Sequence, residues 1–101
     1  MLFLVEVATR FPDRMLPTER AEIIEQEASR GQQLCRSGAI RHIWRLPGQS
    51  ANVAVWDCPD SDALHMSLTS LPAWPWMSVL VRPLATHPLT VFVSDVGVHV
   101  N

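Results

Sequence analysis

The chain contains no lysine, and all eight of its basic residues are arginine. Any mechanism that depends on a lysine amine is therefore excluded. The formal net charge is -2, and no stretch of the chain concentrates positive charge, so nothing is present to attract phosphates. We expect no nucleic-acid partner.

Cysteines, metal-binding patterns and long apolar runs are also scarce. Cys35 and Cys58 form no CxxC pair, which favours reduced thiols in a cytoplasm over a disulfide framework or zinc spacing. The four histidines show no HxH or HExxH spacing, and no glycine-rich phosphate loop is present. No apolar run approaches the ~20 residues that span a bilayer, and Glu6 interrupts the apolar start, which also lacks a basic flank. We expect a cytoplasmic protein with no cofactor, metal or membrane contact.

What is present is an alternation of short strands and helices. Residues 2–8 are predicted to form a strand, and a helix is predicted from a Thr18 cap to about Ser37, with Gly38 as its stop. Alternation over 39–46 and 51–57 around the turn PGQS predicts a hairpin. Asp60 is predicted to cap a second helix with a Leu64, Leu68 and Leu71 stripe. Further strands are predicted at 77–82 and 89–100.

The order β-α-β-β-α-β predicts an α+β, ferredoxin-like fold, in which two helices cover one face of an antiparallel sheet. We expect one domain over residues 1–101, with 88–101 as a C-terminal extension. Its extra strand is expected to pair with a neighbouring subunit. The uncovered face of the sheet is expected to be buried against another subunit, which predicts a homo-oligomer.

Glu27 is the candidate acid. At about 100° per residue it falls within an apolar arc of the first helix, formed by Ala21, Ile23, Ile24, Ala28, Gly31, Leu34 and Cys35. A carboxyl group taken out of water is paired, or its pKa rises, and a raised pKa suits proton abstraction and return at carbon. The alternative is a structural ion pair with Arg20, Arg41 or Arg45.

The 39–46 strand adds candidates for substrate binding. Its alternation puts Ile40, His42, Trp44 and Leu46 on one face, and Arg41, Ile43 and Arg45 on the other. The Arg45 guanidinium suits a carboxylate ligand, or it pairs with Asp57 across the hairpin. His42 is a site residue or a core or interface histidine.

The remaining candidates lie on the next two elements. Asn52 offers an amide to a ligand carbonyl or closes the turn, and His65 flanks the second helix as a site residue or a capping or interface group. Trp56, together with Trp44, is expected to wall an apolar pocket. In SLPAWPWM, the prolines Pro72 and Pro75 set the chain path, and we expect a neighbouring chain to bury at least one of Trp74 and Trp76.

Several stretches together resemble the muconolactone isomerase family. They are MLFLV, QQLCRSG, RHIWR (41–45), ANVAVWD (51–57), DALHMSLTSLP (62–72), PWM (75–77) and RPLATHP (82–88), in the family's order. The resemblance implies a ferredoxin-like chain that forms dimers and then a decamer. It also implies a cofactor-free enzyme of aromatic catabolism that shifts the double bond of muconolactone to give the enol-lactone of 3-oxoadipate.

The resemblance also implies a difference at the candidate acid. The family carries an adjacent Glu-Lys pair on the first helix, and here these positions are Glu27 and Ala28. We expect Glu27 to move the proton alone, with Arg45 or His42 holding a carboxylate or oxyanion. Two alternatives remain open: an enzyme acting on a substituted or halogenated lactone, and a non-catalytic oligomeric binding protein.

Overall fold

The computed structural model describes residues 1–93. Its main elements are β1 (Leu2–Thr9), α1 (Pro17–Arg36), β2 (Ile40–Arg45), β3 (Ala51–Asp57), α2 (Ser61–Thr69) and β4 (Met77–Leu84), with short 3-10 helices at Trp74–Trp76 and Pro88–Phe92. The strands form one sheet in the order β2-β3-β1-β4, and every neighbouring pair is antiparallel. The predicted ferredoxin-like α+β fold is confirmed.

Strand β1 shows how the core forms. Phe3, Val5 and Val7 are at most 4 % exposed, whereas Glu6 and Ala8 between and beyond them are exposed. Because side chains alternate along a strand, β1 turns one face to the helices. The buried cluster is completed from the other elements, chiefly by Leu34, Ile40, Ala54, Trp56, Leu64, Leu68 and Leu71.

Helix α1 begins one residue before the predicted cap. The predicted Thr18 cap is wrong: Pro17 is the first helical residue and Leu16 precedes it, with no side-chain cap. Proline suits this position because its fixed φ is helical and the missing N–H needs no partner there. The predicted stop is confirmed, since Gly38 has a φ of +85°.

The covered side of α1 is narrower than the apolar arc that the sequence predicts. Leu34 is buried, and Ile23, Glu27 and Gly31 are half-buried. Ile24 is 52 % exposed, and Ala21, Ala28 and Cys35 are exposed as well. One flank of the arc is therefore exposed instead of buried.

A bulge in β2 makes the predicted orientation of its side chains wrong, because His42 and Trp44 do not share a face with Ile40. Ile40 lies opposite Trp56 and His42 lies opposite Val55, which are successive residues of β3, so the register shifts between them. An extra residue in one strand turns the following side chains over. Ile40 therefore points to the helices, whereas His42 and Trp44 point to the uncovered face.

The tail departs from prediction where it is described. Pro88–Phe92 is a 3-10 helix instead of the start of a strand, and the His87 Nδ1 accepts a hydrogen bond from the Leu89 N–H at 3.0 Å. Proline at the first position and this side-chain cap favour a turn over extended pairing. The remainder of the predicted tail strand, residues 94–100, lies outside the described residues.

Candidate functional site

Glu27 projects from the sheet-facing side of α1 towards the chain that follows α2. Its Oε1 accepts a hydrogen bond from the backbone N–H of Ala73 at 2.9 Å. Burial raises the pKa of Glu27 above its ordinary value, and the Ala73 hydrogen bond lowers it in part. The pKa of Glu27 is raised, as the sequence predicts, because loss of water disfavours the charged form.

Two tight turns bring the Ala73 amide to this position. The Trp74 N–H donates to the Leu71 carbonyl at 3.0 Å, and the Trp76 N–H donates to the Ala73 carbonyl at 2.9 Å. Pro72 and Pro75 lock their own φ angles and cannot continue a helix. Ala73 itself is 1 % exposed, so its amide is aimed from a buried and constrained segment.

A cavity of about 370 Å³ opens beside Glu27. It is lined by Thr9, Phe11, Ile24, Glu27, Arg45, Ser50, Asn52, Ala73 and Met77. Arg45 and Asn52 are directly opposed across β2 and β3, and opposed residues share a face of the sheet. The lining thus combines one carboxyl, one guanidinium, three neutral polar side chains and an apolar wall, as small-ligand sites do.

The alternative of a structural ion pair at Glu27 is not realised within residues 1–93. Arg41 pairs with Asp57, with Nε and Oδ2 3.3 Å apart. Arg20 places its guanidinium over the Phe11 ring, 5.9 Å from the centroid. No salt bridge joins Glu27 to any described residue.

Two other concavities offer no carboxyl group that is both half-buried and free of an ion pair. One lies beside Arg41 and Asp57, whose charges already neutralise each other. The other lies on the uncovered face of the sheet around Glu6, which is exposed to water. The Glu27 cavity is therefore the candidate site.

The structure brings three of the seven predicted site residues together, namely Glu27, Arg45 and Asn52. The His42 and Trp44 rings stack on each other, with centroids 5.6 Å apart, on the far face of the sheet. Trp56 is 3 % exposed and packs in the core opposite Phe3. His65 is exposed on α2, edge-on to Trp74. None of these four lines the cavity.

Several lining residues were not predicted. Thr9 continues the alternation of Val5 and Val7 along β1, so the sequence pattern held the signal for it. Phe11 comes from the loop after β1 and packs against Trp76 with ring centroids 5.5 Å apart. The contribution of Ala73 is a backbone group, and residue type alone gives no sign of it.

Two general features of the described residues, 1–93, complete the picture. No three side chains among His, Cys, Asp and Glu come together as a group that could hold a metal ion. No helix in this part of the chain combines the length and apolarity needed to cross a membrane.

Fold and cavity together define a small ferredoxin-like protein in which one half-buried carboxyl group and one guanidinium line the same cavity. The sequence matches the muconolactone delta-isomerase family over residues 1–90. It is 36 % identical over 95 residues to the muconolactone delta-isomerase of Pseudomonas aeruginosa, covering 94 % of this chain and 99 % of that protein. It is 41 % identical over 92 residues to muconolactone delta-isomerase 1 of Acinetobacter lwoffii, covering 90 % and 95 %.

A solved structure agrees with the sequence relatives. A crystal structure of muconolactone isomerase superposes with a TM-score of 0.86 at 37 % identity, covering 94 % of this chain and 99 % of that one. The chain belongs to the muconolactone delta-isomerase family.

Proposed function

We propose that this protein is a cofactor-independent isomerase of aromatic-compound catabolism that shifts the C=C bond of a small unsaturated lactone of the muconolactone type. The observation that carries the proposal is the Glu27 carboxyl group, half-buried, without a salt bridge in the described chain, and facing a cavity with Arg45. A locked ion pair with no cavity beside it would have favoured a non-catalytic binding protein.

Glu27 acts first as base and then as acid. Its carboxylate removes a proton from the ring carbon at one end of the allylic system, and the electron pair moves through the double bond towards the lactone carbonyl. The resulting dienolate takes the proton back from Glu27 at the carbon next to the carbonyl. The C–H bond broken and the C–H bond formed balance, so no redox partner is required. A pKa raised by burial suits both steps.

The other polar groups of the cavity hold the substrate. Arg45 binds the carboxylate side chain of the lactone, since a guanidinium matches a carboxylate in charge and in geometry. Asn52, directly opposite Arg45 on β3, donates its amide to the ring carbonyl, where negative charge develops in the dienolate. Phe11, Ile24 and Met77 provide the apolar wall against the ring.

The proposed setting is a homo-oligomer in the cytoplasm, with dimers that assemble into a larger particle. Both cysteines are free, Cys35 exposed and Cys58 buried, which fits a reducing compartment. The apolar residues on the uncovered face of the sheet, described below, supply a surface for a second copy.

The experiment follows ultraviolet absorbance after muconolactone is mixed with wild type, Glu27→Gln or the control Glu25→Gln. Glu25 is an exposed neighbour on the same helix. We expect turnover by wild type and by the control, and a loss of about a hundredfold or more in kcat for Glu27→Gln, the scale of general acid–base catalysis. A wild-type rate equal to that of buffer would refute the isomerase, and a fully active Glu27→Gln would remove Glu27 from the mechanism.

A further inference from the structure

The two oxygens of the Glu27 carboxyl group have different surroundings. Oε1 accepts the hydrogen bond from the Ala73 N–H at 2.9 Å. Oε2 accepts no hydrogen bond from any described residue. It is not fully buried, because no buried side-chain oxygen or nitrogen in the described part of the chain lacks a partner. One oxygen is therefore held by the protein, and the other remains accessible on a side chain that lines the cavity.

The donor is rigid. Ala73 is 1 % exposed and lies between the Leu71–Trp74 and Ala73–Trp76 turn hydrogen bonds. Proline on both sides of the Ala73–Trp74 pair limits how this segment moves. A backbone N–H in such a segment can hold a carboxylate oxygen in one place without the entropy cost of fixing a side chain.

We propose that the backbone N–H of Ala73 is the positioning group of this site: it holds Oε1 of Glu27 and thereby leaves Oε2 as the atom that removes and returns the substrate proton. The inference rests on the proposed function. Ala73 does not touch the reacting atoms in this arrangement, because it acts through the orientation and charge state of Glu27. A catalytic base performs well only when it is held in the reacting geometry.

A purely structural role would be different. In that case the bond would tie α1 to the segment after α2, and its loss would change the stability and the pKa of Glu27 but leave kcat on the alkaline plateau unchanged. A positioning donor also favours the charged carboxylate over the neutral acid, which agrees with the direction in which this bond moves the pKa of Glu27.

The charged groups around Glu27 are few. Arg45 on β2 is the one other charged residue in the cavity lining. The other three strands contribute only uncharged residues to the lining, namely Thr9, Asn52 and Met77. On α1 itself, Arg20 lies over Phe11, and the Arg30 Nε donates to the Ser70 Oγ.

The test replaces the amide at residue 73 with an ester. Ala73→lactic acid, introduced by semisynthesis or nonsense suppression, keeps the methyl group and replaces the N–H donor with an ester oxygen. Ala85→lactic acid is the matched control, since it makes the same chemical change at an exposed residue whose N–H has no hydrogen-bond partner within residues 1–93. Two measurements are made: the pKa of Glu27 from the NMR titration of a 13C-labelled carboxyl group, and the pH dependence of kcat with muconolactone.

We expect the Ala73 ester to raise the pKa of Glu27 relative to wild type, to move the acid limb of the kcat profile to higher pH, and to lower kcat about tenfold or more on the alkaline plateau. The Ala85 ester should match wild type. An unchanged kcat on the alkaline plateau of the Ala73 ester would overturn the proposal, even if the pKa of Glu27 rises or that protein is less stable. If wild type does not turn over the lactone, the proposed function fails, while the NMR titration still decides whether Ala73 controls the charge state of Glu27.

Discussion

At the scale of single residues, two opposing effects act on the pKa of Glu27. Burial favours the protonated acid, and the Ala73 N–H favours the carboxylate, with burial the larger of the two. A base in this position keeps some preference for the proton that it must first take and then return. Ala28, where the family resemblance implies a lysine, is exposed and lies outside the cavity lining.

The raised pKa of Glu27 also predicts a pH-dependent contribution to stability. Because its folded-state pKa lies above the unfolded value, Glu27 favours folding most at low pH, and this contribution is lost as pH rises through the folded-state pKa. We expect the free energy of unfolding of wild type, minus that of Glu27→Gln, to fall between about pH 4 and about pH 8. Urea unfolding at both pH values measures this difference.

Glu25→Gln is the control for that measurement, and it should follow wild type at both pH values because Glu25 is exposed. A difference between wild type and Glu27→Gln that grows with pH would mean that the Ala73 hydrogen bond outweighs burial.

At the scale of elements, α2 matters because its C-terminal end sets the path of the segment that carries Ala73. Its N-terminus is capped as predicted: Asp60 Oδ1 accepts from the Ala63 N–H at 2.8 Å. The predicted stripe is also confirmed, since Leu64, Leu68 and Leu71 are each at most 7 % exposed. The helix is therefore held to the sheet by its buried side and ordered at its start by one side chain.

Removal of the cap should destabilise the fold. We expect Asp60→Ala to lower the free energy of unfolding by about 1 kcal/mol, since the Ala63 N–H at the helix start loses its acceptor. Asp60→Asn is the matched control and should stay close to wild type, because asparagine is an equally good capping residue. Both values come from urea denaturation, and equal losses in the two variants would show that the charge matters instead of the cap.

Elements also show where sequence patterns stop being informative. Alternation correctly located β1 to β4, whereas the start of the predicted tail strand is a 3-10 helix. It also put Arg45 and Asn52 close enough to be candidates for one site. It assigned His42 and Trp44 to the same face as Ile40, because a bulge leaves no mark in a pattern of period two. Trp56 was assigned to a pocket wall because residue type does not distinguish a pocket from a core. Ala73 was not predictable, since its contribution does not depend on its side chain.

At the scale of the whole molecule, the sheet face opposite the helices, called here the uncovered face, is largely apolar. It carries apolar side chains from all four strands, with Glu6 and Arg82 among them; the apolar members include Leu4, Trp44, Val53, Val55 and Leu80. Trp44 is 41 % exposed and Leu80 is 51 % exposed in the single chain. Apolar surface of this kind on one face of a sheet is typical of a subunit contact.

We expect a second copy to cover this face. In sedimentation experiments at micromolar concentration, wild type should be larger than a monomer. Leu80→Glu should shift the protein towards monomer, because a carboxylate in the contact would be desolvated without a partner. Met66→Glu is the control, since Met66 is 72 % exposed on α2, on the opposite side of the sheet. Monomeric wild type, or equal behaviour of the two variants, would contradict the expectation.

Contacts within the single chain bury part of each of the two tryptophans after α2. Trp76 packs against Phe11 and Trp74 against His65, and both remain half-buried. Burial of one of them by a neighbouring chain stays a prediction.

The hydrogen bond from Ala73 to Glu27 also bears on how this site tolerates genetic change. Every amino acid except proline carries the same backbone N–H, so a codon change at this position can alter the methyl group without deleting the donor. Short of a change to proline, loss of the donor would require a shift in the path of the chain. The side chains of neighbouring residues can therefore diversify over generations while the carboxyl group keeps its orientation, provided that the turns around Ala73 persist.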